Sequence, residues 1–252
     1  MDNYDLTKRE KFELQNNEYE FPYHYLPYIK NDKFFLGREI SHGAGYMAYM
    51  MHYAEHINNL RPKSYLDIGC GDGRIFEFIN PNISCSGCDL SERAIAFGKA
   101  FNPNVDIRCV DIADMPDEAY DCISLIEVIE HIPDDALSEF IRNAWSKLKM
   151  GGHCVISVPT VNLKPIPKKH YRHYTLELLE EELQQADVNY EIQKVEYILK
   201  YDKKYRLLLK LSNNHLIRFE FLKAKLWNHT KNNLISAQHD TGFHLFVDMI
   251  KN

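Results

Sequence analysis

Two stretches of the chain gather titratable side chains at spacings that suit proton transfer. They are Glu127-Val128-Ile129-Glu130-His131 and Pro167-Lys168-Lys169-His170-Tyr171-Arg172-His173-Tyr174-Thr175. An imidazole near its ordinary pKa is well matched to accepting a proton from a hydroxyl, which makes His131, His170 and His173 candidate bases. Two carboxylates with two imidazoles, Glu127, Glu130, His131 and His170, could instead hold a hard or borderline divalent cation and so acidify a coordinated hydroxyl. Lys168, Lys169 and Arg172 offer charge-assisted bonds to an anionic acceptor. A third stretch, Asp67-Ile68-Gly69-Cys70-Gly71-Asp72-Gly73, has glycine at alternate positions, which permits positive φ and lets a ligand approach bare backbone. In the dinucleotide fingerprint the third glycine comes three residues after the second, and the loop amides meet a pyrophosphate. Here it comes after two, and Asp67 stands two residues before the first. A carboxylate there repels a pyrophosphate and attracts a cation such as an amino group or a sulfonium.

The elements that must position these residues alternate between strand and helix. Apolar Leu66 and Ile68 lead into the glycine loop as a buried strand, and a helix over residues 74–79 is expected to follow. A second strand, residues 83–89, ends on Asp89, about twenty residues beyond the loop, where an open α/β sheet places the acid that accepts from ribose hydroxyls. Ser91 caps the next helix. A third strand, 105–110, ends at Asp111-Ile112, an acid placed to accept from an adenine amino group beside a side chain placed to pack on the ring. The fourth strand, 120–126, delivers the Glu127 to His131 segment. A helix then stops at Gly151-Gly152, and a fifth strand, 153–159, delivers the His170 to His173 segment. This alternation from about residue 63 to 159 predicts a parallel, doubly wound sheet with its ligands at the carboxyl ends of the strands.

Asp67 with the glycine loop, Asp89, Asp111, and the Glu127 to His131 segment before Gly151-Gly152, taken in this order, resemble the class I S-adenosylmethionine (SAM)-dependent methyltransferases over about residues 60 to 200. The resemblance implies an α/β fold: a Rossmann-like, doubly wound, mostly parallel sheet of seven strands whose last is antiparallel. Residues 190–201 suit the sixth strand and residues 242–250 the seventh. It also implies SAM as cofactor and S-adenosylhomocysteine as product, held by Asp67, Gly69, Cys70, Gly71, Asp89, Leu90, Asp111, Ile112, Glu127 and His42. Glu-x-x-Glu-His with a downstream histidine is similar to a metal-binding pattern of small-RNA terminal 2′-O-methyltransferases, where the ion would be magnesium or manganese, and resembles the same segment of ubiquinone-pathway O-methyltransferases. The His170 to Thr175 stretch and the long segment before the last strand resemble methyltransferases of bacterial surface-polysaccharide modification.

The expected organisation is an N-terminal aromatic and helical cap over residues 1–60, with Tyr23 and Tyr46 as acceptor contacts beside Arg38, and a SAM-binding domain over 61–252. An insertion at about 203–240 has Leu207, Leu208, Leu211, Leu222, Leu226 and Trp227 at helical spacing. It is read as one or two amphipathic helices, a solvated face over a buried stripe, with a homodimer through it as an option.

In 252 residues, 45% are apolar, 26% are charged and the net charge is −6, which sets aside DNA as the default partner. No run is long enough to span a bilayer, and the N-terminus lacks the apolar core of a signal peptide. Cys85 and Cys88, three apart on a strand, point to opposite faces and read as structural; free thiols fit a reducing, cytoplasmic setting. These readings converge on O-methylation of a small polar or phosphorylated metabolite, including surface-polysaccharide precursors. Quinone-pathway or RNA-terminal methylation is the rival within the class, and a non-catalytic SAM-binding scaffold the rival outside it.

Overall fold

Five runs in the middle of the chain become adjacent strands; those at 64–68, 120–126 and 148–159 are largely buried on both faces, while those at 84–89 and 106–109, toward the edge of the sheet, are more polar and partly exposed. A computed structural model describes residues 6–17, 28–30, 33–35, 40–212 and 220–252, with the backbone alone at 28–30, 33–35, 40–42 and 220. In chain order, α1 spans Lys8–Asn16, β1 Tyr28–Lys30, β2 Lys33–Phe35, α2 Ile40–Leu60, β3 Ser64–Ile68, β4 Ser84–Asp89, α3 Glu92–Phe101, β5 Asp106–Cys109, β6 Tyr120–Ile126, α4 Asp134–Lys147 and β7 Leu148–Pro159. Then come α5 Leu176–Gln185, β8 Tyr190–Ile198, α6 Lys203–Ser212, α7 Glu220–His229, β9 Ser236–Ala237 and β10 His244–Lys251.

The main sheet has the order β5-β4-β3-β6-β7-β10-β8-β9. Strands β3 to β7 pair in parallel, while β10 runs antiparallel to both β7 and β8. The sheet therefore has eight strands where seven were expected. The extra one is the two-residue β9, which forms at the end of the insertion and pairs along the outer edge of β8. The 74–79 stretch differs as well: Arg74–Phe78 is a 3-10 turn, entered from Gly73 in the left-handed region and stopped short of Pro81.

Alternation along the strands divides the core into two layers. Leu66, Ile68, Ile123, Leu125, Ile156, Val158, Leu245 and Val247 face α4 and α5, which answer with Leu137, Ile141, Leu179 and Leu183. Tyr65, Cys122, Val155 and Phe246 face the other way, toward Tyr53, Ala54 and Ile57 of α2 and Ile95 of α3. There Tyr53 stacks on Phe246 with centroids 5.1 Å apart, an arrangement worth about 0.5–1.5 kcal/mol beyond the area it buries. Within the expected cap, α2 runs from the carboxyl edge of the sheet, where Tyr49 lies against His244, down one face to Asn58, which bonds the Phe78 carbonyl. The element over the ligand edge is α1, started by a Thr7–Glu10 capping box. Beyond β8, the expected helical insertion is α6 and α7, packed on each other through Tyr205, Leu208 and Leu226, with Leu234 from the segment after α7 completing the cluster. Among the described residues no helix is long and apolar enough to cross a membrane, and the cysteines are free thiols.

Candidate functional site

The glycine loop docks on the end of β4, where the Gly69 and Cys70 amides both donate to the Cys88 carbonyl (2.8 and 3.0 Å). Gly69 has φ +71°, and a Cβ there would come 2.6 Å from Val128 Cγ2, so this turn requires glycine. The loop leaves beside it a cavity of about 510 Å³ at the carboxyl ends of β3 to β6, within the size range of small-molecule sites, roughly 300–1,000 Å³. Asp89 stands on its wall. Its Oδ2 accepts from the Gly71 amide (2.9 Å) and its Oδ1 from the Ser91 amide (2.8 Å). Each carboxylate oxygen offers two acceptor positions, so one remains on each for a pair of ribose hydroxyls. Leu90, 57% exposed for want of a protein partner, and the Ile112 region line the same cavity with apolar surface. Asp111, next to it, bonds the Ala113 amide (2.9 Å). A diol acceptor, an apolar slot and a glycine turn together fit the nucleoside half of SAM.

Asp67 is turned elsewhere. Odd-numbered positions of β3 face α2, so its buried carboxylate accepts from Ser124 Oγ at 2.5 Å, and the Tyr65 hydroxyl meets the same Ser124 at 2.6 Å. Burial pushes the Asp67 carboxyl up to about 7, with the Ser124 bond opposing and Asp89 adding repulsion. Cys70 is buried in the same layer. Asp67, Cys70 and Gly71 therefore stand behind the cavity wall, Gly71 acting through its bond to Asp89.

The reactive side is built by the loops after β6 and β7. Glu127 has φ +56°, an uncommon conformation for a residue with a side chain. Its Oε1 is held by Ser157 Oγ and His244 Nδ1, each at 2.9 Å. Burial opposes its charge, but the His244 imidazole and these bonds keep its carboxyl below the usual range. Three residues on, Glu130 is 0% exposed and neither of its carboxylate oxygens has a hydrogen-bond partner. Burial, and then the charge of Glu127, raise its carboxyl well above the ordinary value. His131 Nδ1 contacts the Lys169 carbonyl (3.3 Å), which can only accept, so Nδ1 carries the hydrogen and Nε2 presents a lone pair 3.8 Å from Glu130 Oε1. The His170 ring lies 4.6 Å from that of His131, and its Nδ1 is 3.0 Å from Nε2 of the buried His173. Burial pushes both His131 and His170 down to about 3, so both imidazoles are neutral.

Of the expected metal set, Glu130, His131 and His170 converge, each offering a ligand atom within 4.8 Å of the others. Glu127 is held apart by Ser157 and His244. Arg172, expected to grip an anionic acceptor, is a brace instead. Nη1 donates to the carbonyls of Ile129 (3.0 Å) and Ile132 (2.9 Å), Nη2 binds Asp134, and Nε lies 3.4 Å from Glu182. With the Tyr171 amide bonded to the Glu130 carbonyl (2.8 Å), it locks the two segments together. Lys169 lines the cavity and Lys168 is exposed. Tyr46 packs edge-on against Tyr49, 5.4 Å away, beside His244. Tyr23 and Arg38 lie outside the described residues, and of His42 only the backbone on α2 is described.

Sequence reasoning missed His244, Ser157 and α1. His244 had a signal: it opens an antiparallel strand, which starts at the carboxyl edge of its parallel neighbours. Helix α1 had a local signal too, the Thr7-x-x-Glu10 capping-box pattern at its start; its Lys11 bonds the His170 carbonyl (3.1 Å) and lies over the Tyr171 ring.

A family model described as a methyltransferase domain matches residues 44–195. The chain is 31% identical over 119 residues to a ubiquinone biosynthesis O-methyltransferase of Coxiella burnetii, covering 44% of this chain and 50% of that protein. It is 32% identical over 125 residues to the Marinobacter nauticus protein of the same name, covering 46% and 51%. The chain thus spans about half the length of the curated relatives it matches. Among solved structures it resembles a SAM-dependent methyltransferase from Archaeoglobus fulgidus, with TM-score 0.56 and 19% identity over 81% of this chain and 92% of that one. It also resembles 1,6-didemethyltoxoflavin-N1-methyltransferase of Burkholderia thailandensis, solved with S-adenosylhomocysteine, with TM-score 0.58 and 14% identity over 100% and 93%. At these identities the likeness is one of fold.

Proposed function

Because the chain belongs to the class I SAM-dependent methyltransferase family, we propose that it methylates a hydroxyl of a small polar or phosphorylated acceptor, with the Glu130–His131–His170 cluster receiving the hydroxyl proton. SAM supplies a methyl group activated on a sulfonium. Asp89 and the apolar wall beside it orient the nucleoside end, and the rigid pairing of the two reactive segments through Arg172 sets where the acceptor oxygen lies. Such positioning can lower a barrier by roughly 7 to 11 kcal/mol in favourable cases.

The observation that carries the reading is the lone pair of His131 Nε2, fixed by the Lys169 carbonyl and kept neutral. An imidazole this weakly basic suffices when the proton moves within a late transition state, as the acceptor oxygen forms its new bond and its hydroxyl becomes strongly acidic. The relatives named as O-methyltransferases support oxygen as the target. Quinone precursors and surface-polysaccharide sugars both fall within this acceptor class. The test is transfer of labelled methyl from SAM across nucleotide-linked sugars, phosphorylated small molecules and catechols. Transfer to a hydroxyl that drops at least about tenfold in His131→Asn supports the reading, since general bases contribute roughly 10²–10⁴-fold; transfer to nitrogen, or an unaffected His131→Asn, overturns it.

A second reading rests on Glu130. A buried carboxylate with no partner on either oxygen, facing two neutral imidazoles, is the donor set of a borderline or hard divalent ion such as manganese or magnesium. Glu130, His131 and His170 would hold it, and it would supply Lewis acidity to a coordinated hydroxyl. Full methyl transfer in chelator excludes this reading, and loss restored by added manganese or magnesium supports it.

A further inference from the structure

The charge of this chain is strongly divided. Residues 200–231 carry nine basic side chains against two acidic, a net +7, in a chain whose total is −6, so the other residues carry −13 between them. Much of that positive charge lies on α6 and α7. Their packing against each other buries Tyr205, Leu208 and Leu226, which turns Lys203, Lys204, Arg206 and Lys210 outward, all exposed. The outward face is not simply a solvated one. Leu207 is 57% exposed and Leu211, one helical turn on, 43%, with Lys203 and Lys210 on the same stripe; on α7, Phe221 is 54% exposed with Lys225 over its ring, 5.5 Å from the centroid. The acid nearest to α6 in sequence, Asp202, is bound by His229 at 2.8 Å.

We propose that the outer faces of α6 and α7 form a docking surface for an anionic lipid membrane. Positive charge is drawn to the anionic leaflet, while leucine and phenylalanine side chains standing among lysines enter the boundary of the acyl region as the lysine stems reach back to the headgroups. The mixture favours lipid over an acidic polymer, which would use the charge and leave Leu207 and Leu211 in water. The surface is also rigidly joined to the reactive end of the sheet. Tyr201 stacks on Tyr205 of α6 with centroids 4.3 Å apart and lies 5.3 Å from Phe243, the residue before His244, which holds Glu127. A chain docked this way keeps its carboxyl edge close to the membrane.

The test is co-sedimentation of the full chain with vesicles of phosphatidylcholine alone and of phosphatidylcholine mixed with phosphatidylglycerol, with poly-uridylate as a soluble polyanion control. Binding is expected only to the anionic vesicles. Each of Lys203→Gln, Lys204→Gln, Arg206→Gln and Lys210→Gln is expected to weaken it roughly fivefold. The pair Leu207→Ser and Leu211→Ser is expected to weaken it by roughly tenfold or more. All are surface changes away from the reactive residues, and circular dichroism checks that each variant is folded. A folded wild type that ignores anionic vesicles, charge variants that bind as the wild type does, or tight binding to poly-uridylate without vesicle binding overturns the proposal.

Discussion

Replacing Asp67 with asparagine should leave the protein unchanged in acid and stabilise it at alkaline pH. In the folded chain burial pushes this carboxyl up to about 7, whereas in an unfolded chain it titrates near 3.9. Between about pH 4 and pH 7 the folded state therefore keeps a proton that the unfolded state has lost, and stability falls as pH rises through that window. A shift of about three units, at roughly 1.4 kcal/mol each, amounts to about 4 kcal/mol at pH values above 7. Asparagine carries no charge, and its carbonyl oxygen can still accept the Ser124 bond seen at 2.5 Å. Urea unfolding of both proteins from about pH 4 to about pH 8 should show stability curves that coincide at the acid end and separate to about 4 kcal/mol at the alkaline end. A gap that is constant with pH, or an Asp67→Asn protein less stable throughout, refutes the burial argument.

Three further outcomes follow from the geometry. Asp89→Asn should reduce S-adenosylhomocysteine affinity by roughly two orders of magnitude in calorimetry, since two charge-assisted bonds are worth about 1.5–3 kcal/mol each; a loss of less than about threefold would remove Asp89 from the ribose site. Arg172→Gln should lower the urea midpoint and the Tm and, by loosening the two reactive segments, lower kcat more than it raises the acceptor KM, because the guanidinium is occupied by Ile129, Ile132, Asp134 and Glu182; a raised KM with Tm and kcat unchanged would return it to the acceptor. Phe246→Ala should destabilise by about 3–5 kcal/mol in thermal or urea unfolding, as it removes a fully buried ring stacked on Tyr53. A cost under about 1 kcal/mol would mean that α2 collapses into the space.

The fold was legible because its determinants are local. Alternating elements from Ser64 to Pro159, the glycine turn at 69, and capping residues Ser91 and Thr175 all act within a few positions of themselves. The site was legible only to the level of loops. Placing Glu127 to His131 opposite His170 to His173 follows from topology, but the fate of each side chain is settled by partners distant in sequence. Asp67 looked available until Ser124, 57 residues away, claimed it. Arg172 looked like an anion grip until the carbonyls of Ile129 and Ile132 and the side chains of Asp134 and Glu182 filled its donors. His244 looked like one residue of a strand until antiparallel pairing with Pro159 brought it beside Glu127. The length of β8 and the added β9 depend in the same way on a backbone edge offered by the insertion.

Helix α1 buries none of its residues, although it forms one wall of the cavity. Its ties are polar: Lys8 with Asp135, Lys11 with the His170 carbonyl, and the hydroxyl of Ser91 donating to Asn16. An exposed ion pair such as Lys8–Asp135 contributes about 0.2–1 kcal/mol and weakens with salt. Detaching α1 therefore leaves no hole in either core layer and asks little of the remaining structure. Of the walls around the cavity, the one α1 supplies is therefore held to the rest of the fold by contacts that ionic strength weakens, while the walls built by the sheet are not.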